Sequence, residues 1–228
     1  MDNAYHPERG GAAFYIILGI MLLAALSYAV TQNFRFSNTS LSNDKARMAA
    51  QEIVEYGTAM SSAVQKLRLR GCTDMQINFE STTLGVANNP TAPADDHCDV
   101  FSPSGARMVP RAATEFPKGD MLIFSGQSAL IGVGTHGCGT AACTDLYMAL
   151  WLKGDSSSDI CTHINQILGH TTLVPAPSTV FMEAYSNFIG GYGTHVASNA
   201  TFAGLTSACF TYSVDPNNSI FYQVLIAR

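Results

Sequence analysis

Six cysteines carry most of the chemistry open to this sequence: Cys72, Cys98, Cys138, Cys143, Cys161 and Cys209. An even count in loop-rich sequence, downstream of an apolar export segment, reads as a disulfide framework. Fifteen pairings are possible, and spacing alone does not choose between them. The set expected here is Cys72–Cys98, Cys138–Cys143 and Cys161–Cys209. The first would close a polar, Pro-containing loop, worth roughly 3.5 kcal/mol by loop-closure entropy. Zinc at His136, Cys138 and Cys143 is the competing use of these residues. The gap between the two cysteines suits half of a zinc site, but no second paired half follows, so no metal and no cofactor is assigned.

Other constellations fall short of a catalytic site. Asp95, Asp96 and His97 have the donors for calcium but not the spacing of a calcium loop, and they read as an acidic turn. His163 and His170 stand two helical turns apart, whereas a zinc pair prefers adjacent turns. Ser125-Gly126-Gln127-Ser128 lacks the flanking glycines of a nucleophile elbow, and Gly132-Val133-Gly134 lacks the rest of a phosphate loop. The stretch FIGGYG could offer Tyr185, Phe188 and Tyr192 to a sugar or peptide, but its glycines equally suit a packed loop. Asn38, Asn199 and Asn217 lie in Asn-x-Ser/Thr sequences, whose use needs a glycosylating export route. No catalytic residue and no small-molecule substrate is assigned, and the chain is not expected to be an enzyme.

Composition narrows the partners. The chain has 228 residues, enough for one medium domain and a membrane segment. Charged residues make up only 13%, about half of the usual share, and the net charge is −5. Lys66, Arg68 and Arg70 form the one basic cluster, too small for nucleic-acid binding, which needs many clustered cations.

The charge deficit concentrates near the N-terminus. After a short polar leader or cytoplasmic tail (1–10), residues 11–30 contain no charge at all. At about 1.5 Å per residue this run can cross a hydrocarbon core of about 30 Å. Phe14, Ile17, Leu18, Ile20, Leu22, Leu23 and Leu26 would face the lipid. Two export readings follow. Ser27-Tyr28-Ala29 can end a cleaved secretory signal, although Asp2 and Glu8 oppose the usual positive leader. Alternatively the segment is retained as a single-pass inner-membrane anchor, with the N-terminus inside and the rest in the periplasm or outside the cell.

Glu8-Arg9-Gly10-Gly11 followed by an uncharged apolar stretch and a long amphipathic helix resembles the start of a type IV prepilin or pseudopilin. That resemblance implies processing after Gly10 or Gly11 and packing of the exposed helix against other pilin-like subunits. It also implies that the second half of the helix is buried in the globular head. This chain departs from the pattern in having Tyr15 or Ile16 where pilins carry a glutamate, and Ala12-Ala13-Phe14-Tyr15 in place of the family's Phe-Thr-Leu start. The stretches ALSYAVTQ and FYQVLIAR also resemble those of bacterial envelope proteins.

The elements that must position these groups follow from periodicity. The Asn-, Ser- and Thr-rich linker 31–41 is expected to break the helix. An amphipathic helix is expected over 42–70, capped by Ser42 or Asn43. Ala46, Ala49, Ala50, Ile53, Gly57, Met60, Val64 and Leu67 would share one face, and Gly71 would end it. Residues 71–228 read as β-rich. Strands are expected at Met75–Phe79, Met121–Ser125, Leu146–Leu152, Ala208–Val214 and Ile220–Ile226, the last two as a hairpin around Asp215-Pro216-Asn217-Asn218. One further short helix is expected at Ser157–Leu168, stopped by Gly169, with Cys161 near its apolar stripe. Residues 83–118 read as an extended surface excursion.

The fold class is therefore α+β: a membrane helix and an amphipathic helix, then a mainly antiparallel, disulfide-stapled domain. The expected role is an extracytoplasmic structural subunit, a minor pilin or pseudopilin of a type IV pilus or type II secretion-like system. A secreted or anchored binding module is the alternative.

Overall fold

The computed structural model describes residues 11–134, 144–170, 177–178, 187–197, 200–213 and 215–228. Side chains are described within these except at 11–14, 25–41, 177–178, 195–197 and 200. The chain divides into two units, with the boundary between Lys45 and Ala46.

Helix α1 is Gly11–Leu69. The break expected over 31–41 is absent, because that backbone is helical. Ser42 and Asn43 are therefore interior residues of α1 rather than its N-terminal caps. The stretch holds no Gly or Pro, and Asn, Ser and Thr each cost a helix at most about 0.7 kcal/mol against alanine. A helix extends through such residues without needing a new nucleus. In the first unit Tyr15, Ile16, Ile17, Leu18, Ile20, Met21, Leu22 and Leu23 are all exposed. Among the described residues no helix is long and apolar enough to cross a membrane.

In the second unit the expected apolar face of α1 is buried at all eight positions from Ala46 to Leu67. Gly57 lets this face approach the sheet, since a Cβ there would stand 3.0 Å from Phe221 Cε1. The helix ends as Gly71 predicts. Gly71 takes φ +99°, its amide bonds Arg68 O, and the Cys72 amide bonds Leu67 O, the paired bonds of a Schellman stop.

The strands are β1 (Gly119–Ser125), β2 (Ser128–Leu130), β3 (Leu146–Lys153), β4 (Pro177–Ser178), β5 (His195–Ala197), β6 (Ser207–Tyr212) and β7 (Asn218–Ile226). The main sheet runs β1-β3-β7-β6-β4. Its first four strands are antiparallel neighbours, while β4 pairs parallel with β6. Four of the five expected strands correspond to β1, β3, β6 and β7, and β6–β7 is the expected hairpin, although Val214 lies outside the described residues. Helix α2 is Ser157–Ile167. It stops at Gly169 with φ +80° and the same pair of bonds, Gly169 to Gln166 O and His170 to Asn165 O.

Both faces of the sheet are covered. Leu122, Phe124, Met148, Leu150, Phe221 and Leu225 pack with α1 and α2 in one cluster. Ile123, Tyr147, Trp151, Phe210 and Tyr222 pack in a second, under Leu130, Val133 and Phe202. This explains why β3 reads as an unbroken apolar run (LYMALWL) rather than as alternation.

Two expectations fail in this unit. Met75–Phe79 is not a strand; Asp74–Gln76 is a 3-10 turn and Asn78 makes an isolated bridge with Asp99. Gln76 Oε1 accepts from the Thr73 amide and hydroxyl, and Asn78 Oδ1 accepts from the Glu80 and Asn89 amides. Side chains thus take the bonds that a ladder would have used. Nor are residues 83–118 a surface excursion throughout, since Val86, Asn89, Cys98, Asp99, Val100 and Phe116 are buried.

Candidate functional site

Exposed apolar side chains on α1 form the first candidate surface. Of the expected anchor residues, Ile17, Leu18, Ile20, Leu22 and Leu23 are 46–68% exposed. Phe14 and Leu26 lie outside the described side chains. Gly11 is the first described residue of α1, and Gly10 is outside the described residues.

The disulfide-tied loop after α1 is the second. Cys72 and Cys98 are bonded, as expected, across a separation of 26 residues. In and just after the loop a buried polar network runs beside the core residues Ile77, Phe79, Val86 and Val100. Asn89 Nδ2 donates to Met75 O (2.7 Å) and Ile77 O (2.8 Å). Asp99 Oδ1 accepts from the Phe101 and Ser102 amides at 2.8 and 3.2 Å, and Oδ2 from Asn78 Nδ2 at 3.2 Å. Farther along, Arg111 reaches back to α1, with Nη2 2.6 Å from Glu52 Oε1 and its guanidinium 4.2 Å above the Phe116 ring. Polar sequence is buried here because each buried amide and carbonyl named has a side-chain partner.

Burial pushes the Asp99 carboxyl up, the Phe101 and Ser102 amides pull it back, and Asp96 and Glu80 push it up again. The net direction is upward. A carboxyl raised in the folded state holds its proton to higher pH than it does in the unfolded chain. Its contribution to stability is therefore fully present below the unfolded value of about 3.9 and is lost as pH rises through the folded one. Asp99→Asn titrates nothing. Relative to wild type, the stability of Asp99→Asn should improve as pH rises above about 3.9. Denaturant midpoints taken across that range test this, and a flat difference or one of opposite sign refutes it.

The third candidate is the junction between α2 and β6. Cys161 and Cys209, both fully buried, are bonded across 48 residues, again as expected. Asn165, one turn beyond Cys161, bonds the backbone of Cys209 twice. Its Nδ2 donates to Cys209 O and its Oδ1 accepts from Cys209 N, both at 2.8 Å. Periodicity missed this residue, although a polar side chain on an apolar helical face was a usable signal.

The remaining sequence candidates separate. Cys138, Cys143 and His136 lie outside the described residues, as does Tyr185. His163 Nδ1 is 3.0 Å from Gln166 Oε1, while His170 Nε2 is 2.8 Å from Ser207 O. Phe188 is buried and packs edge-on against Phe79 and Tyr192, and the Arg228 guanidinium covers the Tyr192 ring at 3.8 Å. Gly190 takes φ +86°, and a Cβ there would come within 2.5 Å of Asn89 Oδ1 and Thr91 Oγ1. The FIGGYG stretch is thus a packed loop at Phe188, Gly190 and Tyr192. Ser125 is fully buried and its Oγ accepts from the Gln127 amide. Asn217 sits in the β6–β7 turn, bonded to Asp215, and Ser219 of the same acceptor sequence is buried.

Asp95 and His97 form an exposed pair, Oδ1 to Nδ1 2.5 Å, and the His97 ring holds the Asp95 carboxyl below its usual range. The donor atoms of Cys72, Cys98 and His97 lie within 4.8 Å of one another. No family model, no curated protein and no solved structure matches the chain.

Proposed function

We propose that this chain is a membrane-anchored, extracytoplasmic structural subunit of pilin-like or pseudopilin-like type. It crosses the inner membrane once, with its N-terminus on the cytoplasmic side and its disulfide-stapled domain in the periplasm or outside the cell. The observation that carries the reading is the run of large apolar side chains from Tyr15 to Leu23, all open to solvent. Burying such a residue is worth about 1.5–3 kcal/mol. Eight of them along one helical segment therefore call for lipid or another protein as cover. By sequence, the uncharged stretch 11–30 from which they come has the length of a membrane crossing, and the described side chains cover positions 15–24 of it.

Burial of Ala46, Ile53, Met60, Val64 and Leu67 in the second unit further supports the reading, because the resemblance implies a helix whose second half is held by the head. Lipid covers the first half before assembly, and other pilin-like subunits cover it afterwards.

The N-terminal residue of the mature protein tests this. Mass spectrometry of chain purified from membranes should find it at Gly11 or Ala12. An N-terminus at Val30 removes the apolar segment and refutes the proposal, leaving a secreted binding module.

A further inference from the structure

We propose that the reduced chain binds one soft divalent cation of the zinc class through Cys72, Cys98 and His97, so that this corner of the fold is a metal site before its disulfide closes. The inference does not depend on the membrane reading. Its basis is the convergence of two sulfurs and an imidazole nitrogen within 4.8 Å, on two segments already held in place. Cys72 is anchored by the stop of α1, where its amide bonds Leu67 O. Cys98 is anchored by its carbonyl, which accepts from the Asn78 amide at 3.0 Å. Thiolate and imidazole are the donors that zinc prefers, and a tetrahedral site with Zn–S of 2.3 Å spaces its sulfurs by about 3.8 Å. The two Cα atoms stand 5.7 Å apart, and on reduction the sulfurs part from bonding distance toward that spacing.

His97 also carries the second layer that metal-binding histidines usually have. Asp95 Oδ1 stands 2.5 Å from its Nδ1, so a carboxylate already orients the ring and raises its basicity. The burial pattern fits as well. Cys72 and Cys98 are buried while His97 is half-exposed, which leaves the metal's fourth position open to water.

The chemistry balances without further components. A dithiol reduces Cys72–Cys98 by exchange: its two thiols become one disulfide, two electrons pass to the cystine, and its two protons end on Cys72 and Cys98. Metal binding then releases both protons to solvent and leaves two thiolates. Because the bound thiolates cannot pair, metal retention and disulfide closure exclude each other.

The test uses the full chain in detergent with Cys138→Ala and Cys143→Ala, which removes the other candidate thiols near His136. After reduction with a dithiol and its anaerobic removal, the protein is titrated with Co2+ and back-titrated with Zn2+. The reduced protein should bind one Co2+ with a thiolate-to-metal absorption band, and the oxidised protein none. Cys98→Ser should abolish the band. Asp95→Asn, a surface change that spares the fold, should weaken binding about 10–100-fold. In the reduced protein, where the Cys161–Cys209 bond is open as well, Cys161→Ala with Cys209→Ala should leave the band and its stoichiometry unchanged. Bound Zn2+ should also slow reoxidation of Cys72–Cys98. Absence of a band in the reduced protein overturns the proposal, whether or not the loop keeps its structure. So does a band indifferent to Cys98→Ser and to His97→Ala.

Discussion

Replacing Cys161 and Cys209 together by alanine should lower the unfolding free energy by about 4 kcal/mol, the loop-closure value for a separation of this length. That is a large share of the 5–15 kcal/mol typical of a folded domain. The bond joins α2 to β6 across 48 residues, so its loss frees a long stretch of the unfolded chain. Alanine is the right replacement because both sulfurs are fully buried, and a serine hydroxyl would add a desolvation cost of its own. Trp151, the single tryptophan, is 6% exposed on β3 and reports unfolding in denaturant. The midpoint should fall, with a slope equal to or steeper than wild type as the unfolded chain expands. An unfolding free energy within 1 kcal/mol of wild type would mean that the bond constrains nothing beyond what packing already fixes.

The elements legible in the sequence share one property: their pattern follows from repeated geometry. The α1 stripe from Ala46 to Leu67 obeys the helical period at every step, and Gly71 and Gly169 stop their helices by a backbone angle that glycine reaches easily. β6 and β7 are visible as a hairpin because Asp215, Asn217 and Asn218 bond one another in the turn. What was illegible depends on single long-range partners. Residues 83–118 look exposed because they are polar, yet Asn89 and Asp99 are buried by satisfying backbone groups that lie far from them in sequence. No local pattern announces that Asn89 will meet Met75 and Ile77. The same holds for β2 and β5, three residues each, whose parallel pairing spans more than sixty positions. The helix through 31–41 was missed for the opposite reason. Local propensity there argues for a break, but the cost per residue is too small to stop a helix already formed on either side.

The candidate surfaces divide in the same way. The apolar run on α1 was legible from composition, and the expected pairings Cys72–Cys98 and Cys161–Cys209 are both present, although spacing alone did not dictate them. The Asp95–His97 pair beside Cys72–Cys98, and Arg111 over Phe116, appear only once the loop is folded against the end of α1. Both described disulfides therefore do more than close loops. Each fixes a helix to the chain that packs beside it, with α1 tied through Cys72 and α2 through Cys161.

Asn165→Ala is the second change with a large expected effect, about 2–6 kcal/mol, from leaving two buried backbone groups without partners at about 1–3 kcal/mol each. On one side of β6, Cys209 lies opposite Phe221 of β7. On the other side, among the described residues β4 pairs with Thr211 and Tyr212, and it is Asn165 that bonds the strand edge at Cys209. Asn165 closes it, because a carboxamide offers one donor and one acceptor in the spacing of a peptide group. The substitution Asn165→Asp separates this role from simple packing. A buried carboxylate can accept from the Cys209 amide but opposes the Cys209 carbonyl, so the folded state favours its protonated form. The variant's folded carboxyl then stands above its unfolded value of about 3.9, and its stability should fall as pH rises through that interval and level off beyond it. Asn165→Asp should approach wild type in acid and resemble Asn165→Ala at neutral pH. Since Asn165 and the disulfide both hold Cys209, the triple variant Asn165→Ala, Cys161→Ala, Cys209→Ala should lose less than the two separate losses combined. Denaturant curves on these variants decide the matter. If Asn165→Ala costs less than 1 kcal/mol, or Asn165→Asp shows no recovery in acid, the two bonds to Cys209 are not what docks α2 onto the sheet.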